Sequence, residues 1–424
     1  MRANYVDRLL ARVDGELAPI WISELITTDA APRVEALRAA VGQLVAETER
    51  LRFAWDPRQN DWIPRSRTAA DVDRAVREIP RGRQREIIAG LLREPVDLGR
   101  DLPLRITVAP LVDDVAGGAL VALQLHHAIG DARSQMYLNR RLWQILAGRP
   151  QQESRLGPAR MSDAVALAGA ARRAPALGAI LDPRRRVLAR RGQALGRRGD
   201  TLGAPMVATL RVLLDARWSA EARSALFFAA LLAGMCAHDR DVAWTAPLRL
   251  RVPIDLRRDL GIGATLENGC SAVPVEIDSA AVRAALDDPS RLGRLVPDEL
   301  GRLLRAGVQW ATLIECLVAS RLASTAMLRT HVRPDLLAAI RANTMVTTYV
   351  GSVDRYFTDA PFPIRNIITH TPTWGANGYS FGGALIINAS AFEGLWSRED
   401  LEAFVEAMRA WLARHHQLRS EVIA

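Results

Sequence analysis

The sequence predicts a mixed α/β (α+β) protein of two lobes, each a mixed sheet flanked by helices, with the functional channel between them. Three observations carry this expectation. The chain has 424 residues, more than one ordinary hydrophobic core covers, and two lobes of about 200 residues each account for the length. Strand-like and helix-like apolar patterns alternate in both halves, as sheets covered by helices require. Between residues 151 and 205 the pattern breaks into an Arg-, Gly- and Pro-rich stretch, the composition of a crossover rather than of a packed element. The expected organisation is an N-terminal lobe at 1–170, a linker at 171–204 and a C-terminal lobe at 205–424.

In the first half, Val34, Leu37, Val41, Leu44 and Val45 recur at helical spacing in a helix over 31–52, with Pro32 near its start. The charged, Trp-containing stretch FAWDPRQNDWIPR reads as a short hairpin. A helix over 83–94 carries Ile87, Ile88, Leu91 and Leu92. Strand-like runs follow in PVDLGRDLPLRITVAPL and GGALVALQLHH, bounded by Gly, Pro or Asp. Residues 132–147 return to helix, with Met136, Leu138, Leu142 and Leu146 on one side.

The second half starts with the strand MVATLRVLL and a helix over 218–237. The strand-like runs LRLRVPIDL and CSAVPVEI come next, then a helical region over 295–341. MVTTYVGSV, IRNIITHTPT and SFGGALIINASAF read as strands. In the last helix Leu401, Phe404, Val405, Met408, Trp411 and Leu412 form one apolar stripe, and Ser397 with Asp400 makes a capping-box start.

Composition excludes several classes. Hydrophobic residues at 49% and charged residues at 24% match an ordinary soluble globular protein. No apolar run approaches the ~20 residues of a membrane span, and MRANYVDRLLARVDGEL has no signal-peptide core, so a cytoplasmic location is expected. The net charge is +9 and every basic residue is Arg. A nucleic-acid binder mixes Lys with Arg and interleaves aromatics; aromatics at 5% argue against one. Cys236, Cys270 and Cys316 are far apart, with no Cys/His spacing for a metal, and read as free thiols. His238, His331, His370, His415 and His416 have no motif around them.

The chemistry concentrates in LVALQLHHAIGDARS, residues 120–134. An apolar strand runs into two adjacent His residues, a small-residue turn and an Asp. Neighbours on a strand face opposite sides, so one of His126 and His127 faces a cavity and the other faces packing. Asp131 stands where the chain turns back, placed to fix the turn through an ion pair or backbone hydrogen bonds.

The run HHAIGDA resembles the HHxxxDG signature of the chloramphenicol-acetyltransferase-like superfamily, with Ala132 where Gly is usual. That superfamily includes the condensation domains of nonribosomal peptide synthetases, wax-ester synthases and polyketide-associated acyltransferases. The resemblance extends over most of the chain. VPIDLRRDLGIGATLENG is similar to the family's P-V-D-x-R and G-N region, and TTYVGSVD to its S-N-x-G strand. GALIINASAFEGLWSREDLEAFVEAMRAWL is similar to its last strand and helix. YSFGG is the nearest approach to the DFGWG of the plant enzymes and departs from it, which argues against that branch.

The resemblance implies two chloramphenicol-acetyltransferase-like lobes and an acyl transfer from a thioester to an alcohol or amine, in polyketide, nonribosomal-peptide or lipid metabolism. It assigns His127 as general base, with His126 in support. The co-substrate would be acyl-CoA or an acyl-phosphopantetheine on a carrier protein, with no permanently bound cofactor. It also implies that Asp131 pairs with an Arg of the second lobe; Arg257 in PIDLR is the first choice and Arg251 the second. Asn268, Ser390 or backbone N–H groups of the glycine-containing loops are candidates for the oxyanion. The Arg-rich run over 172–198, with Arg184, Arg185 and Arg186, is a solvated linker, a landing site for CoA phosphates or an acidic carrier protein, or a contact with an anionic membrane. It lacks a convincing amphipathic helix, so membrane contact is not expected. A second function remains open: a catalytically silent, condensation-like module that recruits carrier proteins or partner enzymes. An intact His127 and Asp131 argue for the enzyme.

Overall fold

The computed structural model describes residues 20–112, 118–149, 203–238, 246–314, 344–371 and 373–423, together with 7, 8, 10, 11, 14, 156, 157, 175, 176, 178 and 179. Arg184, Arg185 and Arg186, Cys316 and His331 lie outside the described residues, as does nearly all of the expected linker.

In chain order the first half forms β1 (Trp21–Thr28), α1 (Val34–Glu47), β2 (Phe53–Asp56), β3 (Asp61–Pro64), α2 (Ala69–Ala75), β4 (Val76–Glu78), α3 (Gln84–Arg93), β5 (Leu104–Pro110), β6 (Ala119–His126) and α4 (Ala132–Leu146). The second half forms β7 (Pro205–Leu213), α5 (Ala220–His238), β8 (Leu248–Asp255), β9 (Cys270–Ile277), α6 (Ser279–Ala284), α7 (Pro289–Arg305), β10 (Met345–Ser352), β11 (Ile364–His370), β12 (Gly375–Phe381), β13 (Ala384–Phe392), α8 (Arg398–His416) and β14 (Ser420–Val422).

Two mixed sheets result. The first has the order β11-β1-β6-β5-β4 and the second β14-β7-β13-β12-β10-β8-β9. In the first only β4 and β5 run parallel; in the second β10 runs parallel to both β12 and β8. The separate β2–β3 hairpin stacks Trp55 edge-on against Trp62, with ring centroids 5.2 Å apart.

A division at residue 205 does not separate the sheets, because β11 from the second half is the edge strand of the first sheet. It pairs antiparallel with β1, Leu25 opposite Ile368 and Ile26 opposite Ile367. The physical reason is burial. Every residue of β1 is buried, so this central strand needs partners on both sides and cover on both faces. The apolar pattern shows that 364–370 is a strand but not which sheet it joins.

Three cores follow. One lies between the first sheet, α1 and α4, and takes in Tyr379 and Ile386 from the second sheet, so the two lobes share it at their seam. A smaller one sits under α3 on the opposite face. The largest packs α5, α7 and α8 on the second sheet. Among the described residues α5 alone is long and apolar enough to cross a membrane. Leu226–Met235 within it are buried in that core, as suits a central helix of a lobe.

The helix expected at 295 begins earlier, at Pro289, where Asp288 caps it and Pro takes the first turn. The unforeseen elements are the central strand β1 (WISELITT), the short α2, α6, β4 and β14, and β12, built of GANGYSF, which has little apolar alternation.

Candidate functional site

β6 ends at His126, and a turn carries the chain into α4. The two His residues take opposite roles, as alternation along a strand demands. His126 is fully buried. Its Nδ1 accepts from the Ala128 N–H at 3.2 Å, which puts the ring proton on Nε2, 3.2 Å from Asp14 Oδ1. Its ring meets Trp21 edge-on, centroids 5.7 Å apart.

His127 is only partly buried. Its Nδ1 lies 3.1 Å from the Gly130 carbonyl oxygen. A carbonyl only accepts, so Nδ1 carries the hydrogen and Nε2 the lone pair. The His127 N–H donates to Ile20 O and its carbonyl accepts from Asn268 Nδ2, each at 2.9 Å. Desolvation lowers its pKa below the ordinary 6.5, against the opposing pull of the Asp131 carboxylate.

Asp131 caps α4, accepting from the Ser134 N–H at 2.9 Å. A carboxylate there also meets the positive end of the helix dipole. Arg257 then grips it from the second lobe in a bidentate fork: Nη1 to Oδ2 at 3.1 Å, Nη2 to Oδ1 at 3.0 Å. The Gly269 N–H at 2.8 Å and the Cys270 thiol at 3.1 Å complete the shell around Oδ2. Burial works to raise the Asp131 pKa, but the guanidinium and these donors hold it down to about 2. Burial raises the Cys270 thiol well above its ordinary value, so it stays protonated and donates. Arg257 is 1% exposed. It also donates to Thr265 Oγ1, Asp255 Oδ1 and Ser134 Oγ.

Two glycines permit this close approach. A Cβ on Gly130 would lie 2.8 Å from Ser134 Cβ, and one on Gly269 would lie 2.5 Å from Arg257 Cζ. Gly269→Ala therefore pushes the guanidinium off Asp131. We expect a loss of about 1–3 kcal/mol from overpacking, read as a lower midpoint in denaturant. An unchanged midpoint would show that the clamp has room to spare. Ala132 is the first residue of α4, and alanine is the best helix former, so the turn closes without the usual glycine.

The remaining expected residues are placed as follows. Asn268 Nδ2 donates to both His127 O and Asp7 Oδ1, each at 2.9 Å. Both of its amide hydrogens are committed, so it holds the His127 turn and has none left for an oxyanion. Ser390 lies on β13, 4% exposed, its hydroxyl without a partner among the described residues. No hydrogen bond joins it to the His127 turn among the described residues. Arg251 is exposed on β8, and among the described residues the ion pair to Asp131 comes from Arg257.

Sequence reasoning assigned no role to the rest of the seam. The Ser134 hydroxyl donates to Glu267 O at 2.7 Å and accepts from the Glu267 N–H at 3.1 Å. Arg133 reaches Tyr356 Oη at 2.8 Å and lies 3.6 Å from Asp255 Oδ2. Asp255, beside Arg257 in PIDLR, was the one readable signal: a carboxylate next to an interior Arg.

No protein-family model matches the chain. A probable non-canonical nonribosomal peptide synthetase, CymA of Salinispora arenicola (strain CNS-205), is 32% identical over 105 residues, 25% of this chain and 1% of that protein. Among solved structures, the first condensation domain of the calcium-dependent antibiotic synthetase, in complex with a substrate analogue, aligns with a TM-score of 0.63 at 17% identity, over 98% of each chain. The chain has the condensation-domain fold. The starter condensation domain of rhizomide synthetase RzmA, a variant solved in complex with C8-CoA and Leu-SNAC, aligns at 0.62 and 15% identity, over 98% of this chain and 94% of that one. In this fold two chloramphenicol-acetyltransferase-like lobes meet, and in this chain the meeting place is the clamped turn that carries His127.

Proposed function

We propose that the chain is an acyltransferase of the condensation type, in which His127 Nε2 is the general base. The acyl group would move from a thioester, on CoA or on carrier-bound phosphopantetheine, to an amine or alcohol in specialised metabolism. The observation that carries the reading is the state of His127. Its Nδ1–H is tied to Gly130 O, the residue is only partly buried, and its lowered pKa keeps it neutral at pH 7. The condensation-domain fold and the nonribosomal-peptide-synthetase match support the same class.

The steps follow from this geometry. The acceptor's N–H or O–H sits against Nε2 and loses its proton as the N or O bonds to the thioester carbonyl carbon. The carbonyl electrons move to oxygen, and Ser390 or a backbone N–H is left to meet that charge. The oxyanion then collapses, the C–S bond breaks, and the imidazolium returns its proton to the leaving thiolate. Asp131 and Arg257 act on neither substrate; they hold the turn across the seam.

The experiment is incubation with acyl-CoAs and acyl-loaded carrier proteins, each with amine and alcohol acceptors, following thioester loss and product by mass spectrometry. An ester or amide product with one donor class supports the reading and names the donor. Failure of every donor would instead favour the recruitment module.

The pH dependence is also set. A base with a depressed pKa keeps its lone pair to lower pH, so kcat/KM should stay flat through neutrality and fall only as pH drops through a midpoint below 6.5. A midpoint above 6.5 contradicts the assignment.

A further inference from the structure

The second sheet comes apart in its middle. β8 and β10 have eight residues each, yet they pair only at Met345–Leu250 and Val346–Arg251. One residue explains the stop. Along β8 the N–H groups alternate in direction: Leu256 donates to Gly269 O on the β9 side, and Arg249 donates to Thr344 Oγ1 on the β10 side. Position 253 therefore turns its nitrogen toward β10, and it is a proline, which has no N–H to give. On β10, Val346 donates to Trp374 O beside β12, so Thr347 and Tyr349 turn their N–H and C=O the other way, toward β8. Continued in the same register, a parallel ladder would take a position-253 N–H to Thr347 O and the Tyr349 N–H to Pro253 O. The first of these bonds cannot form, and the pairing ends there.

Further along, the strands stay apart. Val350 and Asp255 would face each other in that register, and the Arg133 guanidinium bridges them instead, Nη2 3.4 Å from Val350 O and Nε 3.6 Å from Asp255 Oδ2. Arg133 lies in the same turn of α4 that Asp131 caps, and Asp255 also takes Arg257. This end of the cleft therefore lies against the clamp of the His127 turn. The cleft is not packed over. On one face Val346, Thr348, Val350, Arg251, Pro253 and Asp255 are each at least partly exposed. The Thr347 hydroxyl, buried beside it, has no partner among the described residues. An acceptor, Thr347 O, and a donor, the Tyr349 N–H, thus border an accessible gap. What satisfies both is what position 253 lacks: an N–H and a C=O on the two sides of one carbon, which is an α-aminoacyl residue in extended form. A plain fatty acyl chain offers neither group. Added strands of this kind gain affinity from main-chain hydrogen bonds.

We propose that the cleft between β8 and β10, held open by Pro253, is a substrate-binding edge in which one α-aminoacyl residue of the acyl chain docks as a short extra strand, its N–H to Thr347 O and its C=O to the Tyr349 N–H. This rests on the acyl-transfer reading for the chain that enters, but the edge can be tested without turnover. The probes are unreactive thioethers: carboxymethyl-CoA joined to glycinamide, the same joined to glycolamide, in which oxygen replaces the glycyl N–H, and S-hexyl-CoA. Each is titrated calorimetrically into the full chain, and amide hydrogen exchange is followed along β10. Wild type should bind the glycinamide probe about tenfold more tightly than the glycolamide probe, the worth of a hydrogen bond, and exchange at the Tyr349 amide should slow. Pro253→Ala supplies the N–H that β8 lacks. It should slow exchange at Tyr349 without any probe and remove the tenfold preference, while S-hexyl-CoA binds as before. Equal affinity of wild type for the glycinamide and glycolamide probes, no measurable binding of the glycinamide probe, or a preference that survives in folded Pro253→Ala would overturn the edge. A tenfold preference in a protein that transfers no acyl group would leave the edge standing and refute the acyl-transfer reading instead.

Discussion

Replacing Asp131 by alanine is expected to destabilise the protein by about 3–5 kcal/mol and to remove most activity with it. The magnitude is that of breaking a buried ion pair on one side only. Arg257, 1% exposed, would keep its charge with Asp255 Oδ1 as its only carboxylate partner among the described residues. The cap of α4 would be lost as well, at a further cost of about 1 kcal/mol. Equilibrium denaturation of wild type and variant measures the sum. A loss under 1 kcal/mol would show that water or a neighbour replaces the carboxylate. Asp131→Ala with Arg257→Met should recover part of the loss, since no buried charge is then stranded. The pair also has a pH signature. The folded pKa of about 2 lies below the ordinary 3.8. Its contribution of about 2 kcal/mol is therefore fully present above 3.8 and is lost as pH falls through 2. Wild type should lose this stability in that window and Asp131→Ala should not.

Much of the first lobe was legible because its elements are amphipathic with a clear period. α1 and α3 bury Val34, Leu37, Val41 and Leu44, and Ile87, Ile88, Leu91 and Leu92, at helical spacing. The start of α8 was legible too, since Ser397 and Asp400 exchange hydrogen bonds in a capping box. The His turn and the choice of Arg257 came from motif resemblance, not from periodicity. What stayed hidden is what spacing along the chain does not encode. β11 reads as a strand but finds its partner across the seam. Cys270 looks like an idle thiol, yet it donates to Asp131 once β9 is paired with β8. Glu24, inside the apolar run of β1, alternates as a solvent-facing residue would, but α4 covers it. Asn268, next to a glycine, reads as a turn residue, and only the folded chain shows its amide holding the His127 carbonyl.

The central claim is that His127, not His126, moves the proton. His127→Ala should lower turnover by about 10²–10⁴-fold, the usual worth of a positioned base. Stability should change little, because the residue is only partly buried and, among the described residues, its ring makes one hydrogen bond, to Gly130 O. His126→Ala should behave in the opposite way. It empties a fully buried site against Trp21 and Asp14, so stability falls first and turnover follows it. The measurement is single-turnover mass spectrometry of a verified donor and acceptor with wild type, His126→Ala and His127→Ala in parallel, below the unfolding midpoint of each. The account predicts product from wild type and from folded His126→Ala, and almost none from folded His127→Ala with the donor still bound. Product formed by His127→Ala at the wild-type rate would contradict it.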